Sequence, residues 1–189
     1  MREKTDLRIL KTKKALYKSL IKLMKDKPFK EIKVSDICED SLINRSTFYS
    51  HYNDKYELLV DYINSLKTEL LEVLEKNEHL VNTKRFYLEM IKLILDHFDE
   101  EKNVYYSILI HNTDNIITDI LLDVAVKDIN KRIKISNLST QDIPTEIFVT
   151  FYLGAVASTI IEWLRTKDKY SKKEIILYLD KLIPEDLGK

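Results

Sequence analysis

Residues 32–52 read I-K-V-S-D-I-C-E-D-S-L-I-N-R-S-T-F-Y-S-H-Y, and their pattern of polar and apolar residues predicts two short helices. Ser35 is a good N-cap for a short helix over 36–41. Asp36 then lies in the first turn of that helix, where the helix dipole favours an anion. We therefore expect a first short helix that ends at residue 41.

A second short helix follows after a tight connection formed by residues 42–44. Asn44 can cap this helix, which we expect over 45–52. Phe48 and Tyr52 lie one helical turn apart and point inward. The polar side chains that then point outward are Arg45, Ser46, Tyr49 and Ser50. Two short helices joined by a short turn, the second with a polar outer face, predict a helix-turn-helix.

The sequence on both sides of this motif is helical as well. A preceding helix is expected over about 6–25, and Asp54 can cap a long helix over about 55–76. The apolar stripe of the first helix consists of Leu16, Leu20, Leu23 and Met24. Further helices are expected over 84–101, 103–111, 114–135, 144–166 and from Ser171 to Pro184. The predicted fold class is all-α with about nine helices: a three-helix domain over 1–54 and a larger helical bundle over 55–189, bridged by the helix from residue 55.

Composition excludes several other classes of protein. The chain has 189 residues, of which 44% are hydrophobic and 33% charged, as is typical of globular proteins. Its two glycines, Gly154 and Gly188, exclude the glycine-rich loops that cradle phosphate groups. The single cysteine, Cys38, excludes a disulfide within the chain and a zinc site of several thiolates. We therefore expect neither a metal nor a cofactor.

The same sequence predicts a cytoplasmic protein without a membrane-spanning segment. We find no apolar run of about 18 residues, and the first residues lack the charged and apolar regions of a secretion signal. The uncharged run over 147–161 has fifteen residues and contains threonine, tyrosine and serine. A lone cysteine also fits a reducing compartment. We therefore expect no membrane partner.

The net charge of zero hides an asymmetry along the chain. Residues 1–60 contain 14 lysines and arginines against 9 aspartates and glutamates, whereas residues 61–189 contain 17 against 22. A basic N-terminal third joined to an acidic remainder is expected when one end of a protein meets a polyanion. A solvated, lysine-rich helix surface gives the same composition, so charge alone does not decide between the two interpretations.

The stretch over 29–59 resembles the DNA-binding domain of TetR/AcrR-type transcriptional regulators. That family has an Ile-x-Val-x-x-Ile helix, a turn, an Arg-x-Thr-Phe-Tyr-x-His-Phe recognition helix and a Lys-x-x-Leu start to the next helix. The matching positions are Ile32, Val34, Ile37, Arg45, Thr47, Phe48, Tyr49, His51, Lys55 and Leu58. The C-terminal sequence F-Y-L-G-A…W-L…K-K-E-I is similar to a type frequent in Gram-positive regulators of this family.

Four positions depart from the family pattern. The turn has Ser41-Leu42 where the family often has Ala-Gly, and we expect Leu42 to adopt a negative φ with a slight rearrangement of the turn. Ser46 replaces a common glycine and should be harmless at the second position of a helix. Cys38 replaces a common alanine and is interpreted as a small buried thiol.

The chemistry of the second short helix predicts contacts with duplex DNA. The planar guanidinium of Arg45 can donate to both acceptors of a guanine, which is worth about 1–3 kcal/mol of discrimination. Ser46 and Ser50 are short enough to let the helix approach base edges. Donors that suit phosphate oxygens are provided by Ser35, Thr47, Tyr49, His51 and Lys55. The alternatives are that Tyr49 and His51 pack in the core and that Arg45 is an ordinary surface arginine.

The resemblance further implies a homodimer that binds a palindromic operator and is released by a small-molecule effector. An apolar run over 147–161 fits a dimer helix, because a helix apolar on all sides must be buried on all sides. The candidate dimer residues are Phe151, Gly154, Ala155, Ser158, Trp163, Ile176 and Leu179. The candidate effector residues are Tyr87, Tyr106, His111, Phe148 and Tyr152. A central helix of a monomeric bundle and ordinary core aromatics are the respective alternatives.

Two other functions compete with that of a DNA-binding repressor. An enzyme is disfavoured, because the chain has no HExxH motif, no glycine loop, no metal-ligand spacing among its histidines and no evident base beside Cys38. A helical adaptor or coactivator that keeps the regulator fold but acts through protein–protein contacts is the stronger alternative. Arg45 favours the DNA-binding interpretation. Repression, rather than activation, is only the family default.

Overall fold

The structure is a computed structural model, and it describes residues 2–75, 84–112, 116–136, 143–166 and 169–183. These residues form nine α-helices and one 3-10 turn. The helices are α1 (Arg2–Asp26), α2 (Val34–Ser41), α3 (Arg45–Tyr49), α4 (Lys55–Glu75), α5 (Lys84–Glu100), α6 (Lys102–His111), α7 (Ile116–Ser136), α8 (Thr145–Arg165) and α9 (Lys172–Leu182). The 3-10 turn Phe29–Glu31 joins α1 to α2. The all-α prediction with about nine helices is confirmed.

Helix α2 begins two residues earlier than predicted, and Ser35 is not its N-cap. The N-cap residue is Lys33, and its backbone N–H donates to Oδ2 of Asp36 at 3.1 Å. The ammonium of Lys27 donates to the same oxygen at 2.5 Å. Because the Asp36 carboxylate reaches back over the first turn, the start of the helix is held without a hydroxyl at Ser35.

Helix α3 ends at Tyr49, three residues before the predicted end. The chain turns more tightly there, since the N–H groups of His51 and Tyr52 both donate to the carbonyl oxygen of Phe48, at 2.9 and 3.0 Å. Asn44 is the N-cap residue as predicted, but its side chain makes no capping hydrogen bond. The inward orientation of Phe48 and Tyr52 is confirmed, because these side chains are 0% and 4% exposed.

The turn between α2 and α3 closes on a left-handed residue. Leu42 has φ 57° and ψ 30°, so the expected negative φ is wrong. Its N–H donates to the carbonyl oxygen of Glu39 at 3.3 Å, and the N–H of Ile43 donates to that of Cys38 at 3.0 Å. This pair of hydrogen bonds ends helices through a left-handed residue, and glycine is the usual residue there. The backbone of the turn is therefore kept, and leucine is placed in the position of glycine.

The N-terminal helices share a hydrophobic core with the middle of the chain. Its fully buried side chains include Leu16, Leu20, Met24, Phe29, Ile32, Ile37, Phe48 and Leu58. The core continues to Ile108 of α6 and Val124 of α7. It also buries Cys38, and this burial raises the pKa of the thiol. The predicted domain boundary after residue 54 crosses this continuous core and stays a prediction.

A second core joins α5, α8 and α9. Its buried side chains are Ile91, Leu95, Ile160, Trp163, Leu164, Ile175, Leu179 and Ile183. Ser171 caps α9 as predicted: its Oγ accepts from the N–H of Glu174 at 3.3 Å, and the Glu174 carboxylate accepts from the N–H of Ser171 at 2.8 Å. Helix α9 ends at Leu182, and the predicted stop at Pro184 lies outside the described residues.

Helix α8 is apolar on more than one side. It buries Trp163 and Leu164 in the second core, whereas Ile147 and Phe151 are 60% and 68% exposed. By length and composition alone, the segment Glu146–Arg165 is long and apolar enough to cross a membrane. The expectation that no segment reaches that length is therefore wrong. One face of α8 belongs to the core of this chain, and the described residues leave another apolar face uncovered.

Candidate nucleic-acid interface

The outer face of α3 presents polar side chains above a buried aromatic residue. Arg45, Ser46, Tyr49 and Ser50 are exposed, as predicted. The ring of Tyr49 packs edge-on against that of Phe48, with centroids 5.4 Å apart and an angle of 83° between the planes. The Tyr49 ring thus packs on a core residue. Within the described part of the chain, neither the Tyr49 hydroxyl nor the Arg45 guanidinium makes a hydrogen bond, so both can contact a ligand outside it.

A surface groove of about 480 Å³ brings α3 together with the starts of α2 and α4. It is lined by Ile32, Lys33, Val34, Ser35, Arg45, Tyr49, Asp54, Lys55 and Tyr56. Four of the predicted DNA-binding residues therefore share one groove: Ser35, Arg45, Tyr49 and Lys55. The sequence analysis missed Lys33, which adds an exposed cation to this groove. The sequence feature that could have identified Lys33 is its position just before α2, because the first turn of a helix favours binding of a phosphate group.

Four predicted DNA-binding residues are not among those that line the groove: Ser46, Thr47, Ser50 and His51. Thr47 is half-buried, and its carbonyl oxygen accepts a hydrogen bond from the Ser50 hydroxyl at 2.7 Å. His51 is half-buried beside Tyr52, with ring centroids 6.2 Å apart. The contacts predicted for these side chains with DNA stay predictions.

Lys55 holds the 3-10 turn instead of facing solvent. Its ammonium donates to the backbone carbonyl oxygens of Phe29, Lys30 and Ile32, each at 2.8 Å. An ammonium has three N–H donors, so this arrangement occupies all of them. Nζ also lies 4.9 Å from the centroid of the Phe29 ring, and burial lowers the pKa of the Lys55 ammonium. This geometry argues against the predicted phosphate contact and makes Lys55 a residue that positions the groove.

The carboxylate of Asp61 connects three helical segments behind the interface. Its Oδ2 accepts hydrogen bonds from Lys13 Nζ at 2.7 Å, from Tyr17 OH at 2.6 Å and from Tyr52 OH at 2.6 Å. Burial alone would raise the pKa of Asp61, but these three donors hold it below its ordinary value. Because Tyr52 lies three residues beyond the end of α3, the network fixes that end of the motif against α1 and α4. The sequence analysis missed Asp61, since its partners are 9, 44 and 48 residues away.

The predicted dimer residues divide into two groups. Phe151, Ala155 and Ser158 are exposed on one face of α8, and a Cβ built on Gly154 would meet no atom within 4 Å. Trp163 and Leu179 are only 3% and 2% exposed, so their assignment to an outer surface is wrong. The Trp163 indole N–H also donates to the carbonyl oxygen of Tyr170 at 2.9 Å. Ile176 is half-buried against the same core.

The predicted effector residues lie on three helices. Phe148 and Tyr152 are neighbours on α8, with ring centroids 4.7 Å apart. Tyr87 lies on α5, and Tyr106 and His111 lie on α6, with His111 Nδ1 2.8 Å from the carbonyl oxygen of Ser107. All five are half-buried. Since α6 packs on α8, the α6 and α8 candidates belong to neighbouring helices.

Comparisons with known proteins agree with this architecture. The model of a TetR C-terminal family, described as the transcriptional regulator C-terminal region, matches residues 86–185, more than half of the chain. The uncharacterised HTH-type transcriptional regulator YxbF of Bacillus subtilis (strain 168) is 37% identical over 68 residues. That match covers 35% of this chain and 18% of the Bacillus protein.

Solved structures show the same fold. A TetR transcriptional regulator from Streptococcus agalactiae 2603V is 24% identical, with a TM-score of 0.62, and the match covers 96% of this chain and 98% of that one. Lin0861 from Listeria innocua is 19% identical, with a TM-score of 0.67, and the match covers 93% and 91% of the two chains.

The all-α fold, the exposed polar face of α3 and the family match together define a helix-turn-helix transcriptional regulator. The chain belongs to the TetR family of transcriptional regulators.

Proposed function

We propose that this regulator binds double-stranded DNA sequence-specifically, through the groove that α3 forms with the starts of α2 and α4. The observation that carries the proposal is the placement of Arg45 and Tyr49 in one groove with Lys33 and Ser35, above a core that fixes the backbone of α3. In helix-turn-helix proteins the N-terminal residues of the second helix contact base edges in the major groove. Arg45 is the first residue of α3 and meets that requirement.

The roles within the groove follow from side-chain chemistry. The guanidinium of Arg45 has no ion-pair partner among the described residues, so its fork is free to donate to a guanine. Lys33, Ser35 and Tyr49 supply donors for phosphate oxygens, which position the helix without reading sequence. Lys55 stabilises the 3-10 turn behind them. A cytoplasmic location is part of this proposal, because the operator lies on chromosomal DNA.

The exposed face of α8 supports a homodimer. Ile147 and Phe151 are mostly exposed, and Ala155 and Ser158 continue the same face one and two turns further on. Small residues there let a second helix approach closely, as the open space at Gly154 also does. Two copies related by a two-fold axis would read a palindrome with half-sites about 34–36 Å apart.

Release by a small-molecule effector is the regulatory part of the proposal. Such an effector must bind one arrangement of the two α3 helices more tightly than another, with a coupling of about 1–3 kcal/mol. Phe148, Tyr152 and His111, on the neighbouring helices α8 and α6, are the candidate contacts. We propose repression as the output, because occupation of an operator by a dimer blocks access to the same DNA.

The test is the binding of the full chain to a fluorescent duplex from the region upstream of its own gene, followed by anisotropy over a series of salt concentrations. Arg45→Ala should weaken binding and relax preference at one base position, at a cost of about 1–3 kcal/mol. Arg85→Ala, which removes an exposed arginine from α5, is the matched control and should leave affinity unchanged. Equal affinity of the wild type and Arg45→Ala would overturn the proposal. A chain that binds no duplex above the non-specific level would favour the adaptor function.

A further inference from the structure

Leu42 is the most exposed large apolar side chain in the described part of the chain. It is 91% exposed, at the tip of the turn between α2 and α3. Its left-handed backbone directs the side chain away from the protein, whereas the next residue, Ile43, is half-buried against the core. The folded chain therefore gains no packing from this leucine.

A leucine here is unfavourable for the isolated protein on two counts. A left-handed backbone is unfavourable for an L-residue with a side chain, and glycine does not have this penalty. The isobutyl group is also left in water. Glycine would keep both hydrogen bonds of the turn and remove both penalties. The chemistry of this position thus indicates a contact with something outside the chain.

The surroundings of Leu42 show which kind of partner fits. Arg45, three residues further on, lines the groove of the proposed interface. Ile43 lines a second open groove with Leu7, Arg8, Lys11 and Thr12 of α1. Arg8 and Lys11 are exposed cations. The turn that carries Leu42 is thus continuous with two grooves that contain cations, through Arg45 on one side and Ile43 on the other. A polyanion that also displays apolar groups complements this combination.

We propose that Leu42 is a second base-reading residue, and that its δ-methyl groups contact the C5-methyl group of a thymine in the major groove. This inference rests on the proposed function. The thymine methyl is the apolar group that the major groove displays, and apolar side chains recognise it directly. Leu42 precedes the first residue of α3, so the thymine belongs to the half-site that Arg45 reads. Arg8 and Lys11 hold the neighbouring phosphate groups.

The test uses a duplex that the wild-type protein selects from a randomised pool. Each thymine of that duplex is replaced in turn by uracil, which removes the C5-methyl group and nothing else. Affinities are measured for the wild type, for Leu42→Gly and for Leu42→Asn, since both new residues accept a left-handed backbone. Val73→Ala, which trims an exposed apolar side chain on α4, is the control.

For the wild type, we expect uracil at one thymine of each half-site to weaken binding about threefold to tenfold, the scale of a small base contact. Leu42→Gly and Leu42→Asn should bind the unmodified duplex more weakly by a similar factor and should not respond to uracil at that position. The thermal midpoint of Leu42→Gly should equal or exceed that of the wild type, which excludes misfolding as the cause.

Three results would overturn the inference. In the first, Leu42→Gly binds the selected duplex as tightly as the wild type while Arg45→Ala does not, so the proposed function stands and the role of Leu42 fails. In the second, the affinity of Leu42→Gly is lower than that of the wild type by the same factor on every uracil-substituted duplex. Leu42 would then contact the DNA without recognising a thymine methyl group. In the third, the wild type enriches no duplex at all, and the proposed function fails together with this inference.

Discussion

The side-chain oxygen of Asn112 accepts a hydrogen bond from the backbone N–H of Phe29 at 2.5 Å, across 83 positions of the chain. Asn112 is the C-cap residue of α6 and is 7% exposed, and its amide N–H donates to the carbonyl oxygen of Ile108 at 2.8 Å. The carbonyl oxygen of Phe29 accepts from Lys55. The 3-10 turn is therefore bonded to α6 on one side and to α4 on the other. These hydrogen bonds add polar connections to the direct packing of α1 on α6.

Replacement of Asn112 by alanine should destabilise the protein. The substitution leaves the N–H of Phe29 buried without an acceptor, and an unsatisfied buried donor costs about 1–3 kcal/mol. Urea unfolding followed by circular dichroism measures this loss. The same substitution should loosen the attachment of the N-terminal helices to α6, which faster hydrogen exchange at the N–H of Phe29 would report.

Asn64→Ala is the matched control for that experiment. Among the described residues, the Asn64 amide donates to the carbonyl oxygen of Val60 in its own helix, at 3.0 Å. Its removal should change the free energy of unfolding by less than about 1 kcal/mol, since no buried group loses its partner. An equal loss of unfolding free energy in the two variants would show that the long-range hydrogen bond contributes no more than a hydrogen bond within one helix.

Lys55→Met should lower the thermal midpoint, because three backbone carbonyl oxygens lose their donor. It should also weaken binding to duplex DNA, because the 3-10 turn that positions the groove would shift. The slope of the logarithm of the binding constant against the logarithm of the salt concentration should stay unchanged. A lysine that contacts a phosphate group contributes about one unit to that slope. Anisotropy titrations over a salt series separate the two roles.

Lys33→Met gives the opposite pattern and serves as the comparison. Lys33 is exposed in the same groove, and its side chain is not buried. We expect an unchanged thermal midpoint and a slope reduced by about one unit. If Lys55→Met reduced the slope and left the midpoint unchanged, Lys55 would be a phosphate contact as the sequence analysis predicted.

Asp61→Asn should make stability less dependent on pH in the acid range. The folded pKa of Asp61 lies below its ordinary value of 3.8, so its stabilising contribution is present above that value. The contribution is lost as pH falls through the folded pKa, because the carboxylate that Lys13, Tyr17 and Tyr52 bond becomes protonated. The variant should thus be less stable than the wild type near pH 7, and the difference should shrink below about pH 4.

Denaturant unfolding at several pH values measures this difference. Asp119→Asn removes an exposed carboxylate of α7 and should follow the wild-type curve throughout. A constant gap between the wild type and Asp61→Asn from pH 7 to pH 3 would contradict the role assigned to the ionised carboxylate.

Phe151→Glu should produce a monomer. Phe151 is 68% exposed at the centre of the apolar face of α8, and a charge buried there by a second copy would be unpaired. Sedimentation velocity at micromolar concentration should show the wild type as a dimer and the variant as a monomer with unchanged helical content. Val73→Glu, at an exposed apolar position of α4, should remain a dimer. A monomeric wild type would remove the basis of the proposed palindromic operator.

The sequence predicted the helices well, because helical periodicity and capping are local properties. Phe48 and Tyr52 were placed correctly inside and Arg45 outside, since a spacing of four residues sets which face each occupies. Ser35 failed as a cap because a neighbouring carboxylate, Asp36, took over that function. Local spacing thus locates an element but does not choose between two polar residues at its start.

The failures elsewhere share a long-range cause. Trp163 was predicted on an outer surface, but α5 and α9 cover it. Phe29, which donates to Asn112, is 83 residues away from it, and the carbonyl partners of Lys55 are at least 23 residues away, so no local pattern predicts these hydrogen bonds. The left-handed Leu42 is a different case, because the hydrogen bonds of the turn outweigh the backbone preference of the leucine.

The single thiol of this protein has a practical consequence. Cys38 lies in α2 and is 6% exposed, and burial raises the pKa of its thiol, which keeps the thiolate population low. Its reaction with a disulfide reagent therefore has to wait until the N-terminal helices separate. The rate of labelling, in the presence and absence of duplex, thus measures how often the core around Cys38 opens.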